Sequence, residues 1–235
     1  NELIQKDKAL IAKYDELTQA LFLDMFGDPV SNPKGWEKVE LNYFINKLNT
    51  GVSVNSEETS NEKGEYLILK TSCVYSGIFN PNQVKTIRKD EIHRAKLNPK
   101  KDSIIISRMN TSELVGKSAY IFEDYPNIFL PDRLWQTEKT NLEHSVLWLS
   151  YNIGHNSFMN EISKISSGTS GSMKNISKST FLKLKSINPP LKLQNQFAER
   201  VQVIEQQKAI AQKSLEKSEE LFNSLLQRAF KGELV

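Results

Sequence analysis

The chain has 235 residues, 38% hydrophobic and 25% charged, with a formal net charge of +3. That composition is ordinary for a globular protein and supports a core without disulfides. The single cysteine, Cys73, excludes an internal disulfide, reads as a small buried hydrophobe, and suits a reducing, cytoplasmic compartment. No apolar run approaches the ~20 residues of a membrane-spanning helix, so no membrane partner is expected.

The first element is helical by pattern. Leu3, Ile4, Leu10, Ile11, Tyr14, Leu17, Leu21, Phe22 and Met25 recur at steps of three and four. The pattern stops at FGDP, where Gly27 can turn left-handed and Pro29 forbids continuation. The charge also shifts here. Residues 1–30 hold three basic and six acidic side chains, whereas residues 31–188 hold 21 and 16.

Residues 31–188 read as one mixed α+β domain, opened by the turn chemistry of SNPKGW. Strands are predicted at YLILK (66–70), SIIIS (103–107), SAYIF (118–122) and LWQT (134–137). Residues 143–165 read as helical, with Val146, Leu147, Leu149, Tyr151, Phe158 and Ile162 buried. The domain ends in SSGTSGSMKNISKS (166–179), which lies within a stretch holding five lysines and no acid between Ile162 and Asn188. Such a patch favours a polyanion.

Residues 189–235 form a second long helix, with a stripe of Phe197, Val201, Ile204, Ala211, Leu215, Phe222, Leu225 and Ala229 and a stop at Gly232. The two helices match at an offset of 200. Ile4 aligns with Ile204, Lys8-Ala9-Leu10 with Lys208-Ala209-Ile210, and Leu21-Phe22 with Leu221-Phe222. This is an internal repeat around a non-repeating domain. The fold class is therefore α+β, with the flanking helices packed as an antiparallel or coiled-coil-like pair. Ile4, Ile11, Leu21, Phe22, Ile204, Ala211, Leu221 and Phe222 are its expected contact residues, on each other or on partner helices. Lysines at 8 and 208 interrupt a strict heptad and imply a mixed seam.

Catalytic sets are missing from the sequence. His93, His144 and His155 have no metal-ligand spacing, so no metal or cofactor is expected. The 166–179 stretch has no G-K-S/T and is not a Walker loop. Asn188-Pro189-Pro190-Leu191 resembles the motif of amino-methylating DNA methyltransferases, but its fourth residue is not the aromatic that stacks on a flipped base. Pro190 reads instead as a residue of the long helix's first turn. A small adenine methyltransferase is thus one alternative, and a coiled-coil interaction module another. Binding residues are more plentiful. Arg108 and Asn110 are types that read base edges. Thr111, Lys117, Arg133, Trp135, Thr169, Ser170, Lys174, Asn175 and Lys178 suit stacking or phosphate, with Lys174 and Lys178 expected on phosphates.

The order of motifs is telling. LFLDMFGDPVSNPKGWEKVEL is followed by a variable domain, then SSGTSGSMKNISKSTFLKLKSINPPLKLQNQFA, then a helix ending LLQRAFKGEL. This strongly resembles the specificity subunit of type I restriction–modification enzymes, over nearly the whole chain. With one recognition domain rather than two, it looks like a half subunit, or like the second half of a longer one. The resemblance implies sequence-specific binding of double-stranded DNA, reading one half of a split target, without catalysis in this chain. It implies docking of methyltransferase and restriction subunits, which would carry S-adenosylmethionine, ATP and magnesium. It further implies that two chains on a two-fold axis could read a palindromic site. The first helix would be about 39 Å long at ~1.5 Å per residue, close to one ~34–36 Å turn of DNA, so the helices could act as a ruler.

Overall fold

The computed structural model describes residues 2–58, 66–168 and 173–231. In chain order the elements are α1 (Glu2–Phe26), β1 (Lys38–Glu40), β2 (Ile45–Thr50), β3 (Ser56–Glu58), β4 (Leu67–Leu69) and β5 (Val84–Ile87). There follow β6 (Ser103–Ser107), β7 (Met109–Asn110), β8 (Ser118–Ile121), β9 (Ile128–Phe129) and β10 (Leu134–Lys139). The chain closes with α2 (Val146–Gly154), α3 (Asn156–Ile165), β11 (Lys174–Asn175), α4 (Lys178–Leu182), β12 (Lys185–Ile187) and α5 (Leu191–Phe230). Two compact units result: α1 with the chain from 195 onward, and residues 28–194.

In the helical unit, α1 ends as its sequence demands. Gly27 sits at φ +73°, and its N–H reaches the Leu23 carbonyl at 2.8 Å. The helices run antiparallel. Phe22 and Phe26 stack edge-on against Phe197, with centroids 5.7 and 5.5 Å away. Asp15 then pairs with Lys208, Lys8 with Glu219 at 2.8 Å, and Asp7 accepts from Ser214 and Ser218 at 3.3 Å each. The seam is mixed. It buries Ile4, Asp7, Thr18, Phe22 and Phe26 from α1, and Phe197, Val201, Ala211 and Leu215 from α5.

The expected contact residues differ in burial. Leu221 is 60% exposed, and Leu3, Leu10 and Leu17 are exposed as well. Ile11, Leu21, Ile204 and Phe222 are half-buried. The physical reason is that an antiparallel pair covers one narrow stripe per helix. The apolar positions of α1 form two lines, and only one faces α5. The stop at Gly232 lies outside the described residues.

The α+β unit is built on the antiparallel sheet β2-β10-β6-β8. A second sheet, β3-β5-β4-β9, is antiparallel except for the parallel β4–β9 pair. Between them lies a core of Leu67, Leu69, Val84, Ile105, Ala119, Ile121, Leu130 and Leu134, with Cys73 among them. Burial pushes the Cys73 thiol up to about 12, so it serves as packing rather than as a nucleophile. Strand β6 is buried at every position because its other face lies toward α2. That explains why SIIIS is continuously apolar rather than alternating. The predicted 143–165 helix is two helices, broken between Gly154 and Asn156, where the His155 ring accepts from Ser157 N–H and caps α3. Tyr151 is half-buried, and the other expected core positions are buried.

Phe197 is fully buried against two aromatic rings. Phe197→Ala should destabilise the helical unit by about 3–5 kcal/mol, read as a lower denaturation midpoint for the helical signal.

Candidate nucleic-acid interface

Antiparallel pairing decides which loops meet. In the central sheet, Thr50 opposes Trp135, Leu134 opposes Ser107, and Ile106 opposes Ser118. The C-terminal ends of β2 and β6 therefore share one edge with the N-terminal ends of β10 and β8. On that edge lie Ser53, Arg108, Lys117 and Asp132-Arg133. Arg108 N–H donates to the Arg133 carbonyl at 3.0 Å, and Ser107 N–H to the Lys117 carbonyl at 2.8 Å. Beyond Arg108, β7 pairs with β11, so that Lys174 opposes Asn110 and Asn175 opposes Met109. Ile176 N–H closes the group by donating to the Arg108 carbonyl at 3.0 Å.

Residues far apart in sequence thus converge: Arg108, Thr111, Lys117, Arg133, Lys174, Asn175 and, just beyond β11, Lys178. Arg133, Thr111 and Lys178 are exposed, and Lys117 is half-exposed. Lys178 opens α4, whose cap is Ser177 Oγ accepting from Thr180 N–H at 3.1 Å. The 166–179 stretch is a narrow hairpin at its base, where Ser167 and Asn175 exchange backbone hydrogen bonds of 2.9 and 2.8 Å. Thr169 and Ser170 lie outside the described residues.

Four expected contact residues are wholly or partly turned inward. Trp135 is 1% exposed and packs edge-on against Phe181 at 5.9 Å, because it takes a core-facing position on β10. It belongs to the core and offers no face for stacking. Asn110 is 8% exposed. Its Nδ2 donates to Tyr75 Oη at 2.8 Å, and its Oδ1 accepts from Thr111 N–H at 2.9 Å. Both ends of the carboxamide are used, so it offers no two-bond edge to adenine. Lys174 is half-buried, and its ammonium donates to the Ser163 carbonyl at 3.0 Å near the end of α3. It straps β11 to α3, favourably placed against the negative end of that helix. Asn175 is half-buried, with its Oδ1 buried and without a hydrogen-bond partner.

Sequence reasoning missed Ser53, Tyr75 and Asp132. Ser53 Oγ donates to Asp132 Oδ1 at 2.5 Å, and Arg108 Nε–H donates to the Asp132 carbonyl at 2.6 Å. No local motif announces them, because each acts on a residue dozens of positions away.

Among the described residues, no group of His, Cys, Asp and Glu could hold a metal ion. His144 packs against Phe44 at 5.3 Å and His155 caps a helix, and burial lowers the pKa of both rings. His93 is exposed. Asn188-Pro189-Pro190-Leu191 starts α5: the Pro190 carbonyl accepts from Leu193 N–H at 2.9 Å, and Gln194 Nε2 donates to the Pro189 carbonyl at 2.9 Å. Among the described residues, no helix is long and apolar enough to cross a membrane.

The chain thus combines a basic edge on an α+β unit with an antiparallel helical pair. The particular class follows from comparison. Residues 33–220 match the family described as type I restriction modification DNA specificity domain, and the chain belongs to that family. Its specificity subunits are the non-catalytic members of their enzymes. Solved structures agree in fold. The S subunit of a type I system from M. genitalium matches with TM-score 0.62 and 16% identity, over 97% of this chain and 56% of that one. The HsdS subunit from Thermoanaerobacter tengcongensis matches with TM-score 0.51 and 18% identity, over 99% and 55%. A chain from a study of complex assembly and conformational transition in the type I R-M system matches with TM-score 0.55 and 19% identity, over 99% and 56%. This chain therefore spans about half the length of these matched chains. The comparison with curated proteins gives no match.

Asn110→Ala should cost about 1–3 kcal/mol of stability by leaving Thr111 N–H without its acceptor and the Tyr75 hydroxyl with Thr71 alone. Chemical denaturation measures this, and preference among DNA sequences should be unchanged.

Proposed function

We propose that this chain is the DNA-reading half of a type I specificity subunit, recognising one half of a split double-stranded target. The observation that carries this is the convergence of Arg108, Lys117 and Arg133 on one edge of the central sheet, with Lys178 just beyond β11, in a chain of the DNA specificity family. In this reading Arg133, Lys117 and Lys178 contact phosphates and set register, while Arg108 meets a base edge. Asn110, Trp135 and Lys174 support the surface from behind.

The helical pair serves partner subunits. Leu3, Leu10 and Leu17 form an exposed apolar line at heptad spacing, and Val203 and Ile210 occupy the repeat-equivalent places of Leu3 and Leu10. A solvated helix has no need of such lines. In our reading, methyltransferase subunits dock there, restriction subunits join the assembly, and those partners supply S-adenosylmethionine, ATP and magnesium. Two copies of the chain, or a second recognition domain, would complete the split site. In this reading the protein works in the cytoplasm.

Arg133→Ala with Lys178→Ala should weaken binding to all duplexes alike and flatten the log–log salt dependence by about 1.8 units. Anisotropy titrations at several salt concentrations measure this, and an unchanged slope removes this edge from the interface. Leu10→Asp with Leu17→Asp should abolish co-purification with the methyltransferase subunit while leaving the helical content intact.

A further inference from the structure

Arg108 is not a loose cation. Its Nε–H donates to the Asp132 carbonyl oxygen at 2.6 Å, and its Nη2 stands 3.8 Å from Asp132 Oδ2. The side chain is 24% exposed, against 46% for Asp132. Asp132 is held in turn, since its Oδ1 accepts from Ser53 Oγ at 2.5 Å. Ser53 has little freedom of its own. Val52 N–H donates to the Leu130 carbonyl at 3.1 Å, and a Cβ on Gly51 would lie 1.8 Å from that same oxygen. Only glycine permits this approach. The end of β2 and the segment 130–132 thus make one ledge, and the Nε/Nη2 side of Arg108 rests on it. Nη1 takes part in neither contact.

From this geometry we infer that Asp132 is a specificity-determining positioning residue, aiming the Arg108 fork at the O6/N7 edge of a guanine and withholding it from phosphate. The inference rests on the proposed DNA-reading role of Arg108. The physical grounds are two. A guanidinium with one side tethered keeps its remaining donors in a set direction, so less side-chain freedom is lost on binding. A carboxylate beside the fork also disfavours a phosphate at that place, which is an element acting against the wrong contact rather than for the right one. Without the Asp132 carboxylate the main-chain tether on Nε remains, but the Nη2 side loses the charge that keeps phosphate away, so Arg108 takes more of its contact from the DNA backbone, which adds affinity without discrimination.

The test selects duplexes from a randomised pool with the full chain, then titrates the selected and an unselected duplex by fluorescence anisotropy. The proteins are wild type, Asp132→Asn, Ser53→Ala, Arg108→Ala and the Asp132→Asn/Arg108→Ala double variant. The expected result is that Asp132→Asn lowers the ratio of selected to unselected affinity about tenfold. The loss should fall at a single G·C position, the one that Arg108→Ala relaxes, with unselected binding equal or tighter. The double variant should be no worse than Arg108→Ala alone. Ser53→Ala loosens Asp132 without touching Arg108 and should give a smaller loss at the same position, which carries the test if Asp132→Asn does not fold. Full discrimination in Asp132→Asn and Ser53→Ala, with Arg108→Ala relaxing one position, overturns the positioning role and leaves the DNA-reading function standing. Unchanged discrimination in Arg108→Ala overturns the inference through Arg108 itself. Failure of the wild type to select any sequence overturns both the inference and the proposed function.

Discussion

The basic edge of the central sheet depends on the pairing of β10. This strand lies between β2 and β6 in antiparallel register, and its N-terminal end carries Asp132 and Arg133. Its first four residues are buried, and two of them are polar but satisfied. Gln136 Oε1 accepts from Lys100 N–H at 3.1 Å, and Thr137 Oγ1 accepts from Ile104 N–H at 2.9 Å. Side chains thus continue the ladder where backbone pairing with β6 has stopped. A strand tied in this way cannot slip by one residue without turning Trp135 out of the core. The same constraint keeps Arg108, Lys117 and Arg133 on one edge.

The basic edge divides its polar groups by direction. Asn110 and Lys174 spend their hydrogen bonds inward, on Tyr75 and Ser163, and so hold the short β7–β11 pair in place. Thr71 supports the same Tyr75 hydroxyl at 2.8 Å. Arg133 and Lys178 point to solvent, where a polyanion can be met. Arg108 stands between these roles, tethered on one side by Asp132. A surface that must approach a polyanion closely needs stiff backing, since loosely held cations add affinity on every sequence alike.

The helical unit shows how one repeated sequence acquires two environments. Phe22 is buried against Phe197, while its equivalent Phe222 is half-buried. The cause is antiparallel packing, which sets the end of α1 against the start of α5 and not against its own repeat. The middle of the seam is polar: Lys208, 12% exposed, pairs with Asp15, and Asp7 meets two serines. Burial also raises the Glu205 carboxyl, which has Lys208 as a nearby opposing charge. A paired charge of this kind contributes little net stability, and we read its value as register, because any slide of one helix past the other would part Lys208 from Asp15 and leave it only Glu205 of its own helix.

The sequence by itself determined the two flanking helices, the strands at 66–70, 103–107, 118–122 and 134–137, and the charge of the middle domain. Those features are local: apolar spacing, Gly27 at a helix end, and Pro189-Pro190 before another. It also carried the family, through motifs near the domain's edges. Only the tertiary structure decided which polar residues face outward. Asn110 and Trp135 have the right chemistry for DNA and lie in the interior, whereas Asp132 and Ser53 carry no motif and support Arg108. Likewise, Leu3 and Ile4 are equally apolar, yet only Ile4 meets α5. The reason is physical: a side chain's partner is set by contacts between residues far apart along the chain, and spacing within a single element does not encode them.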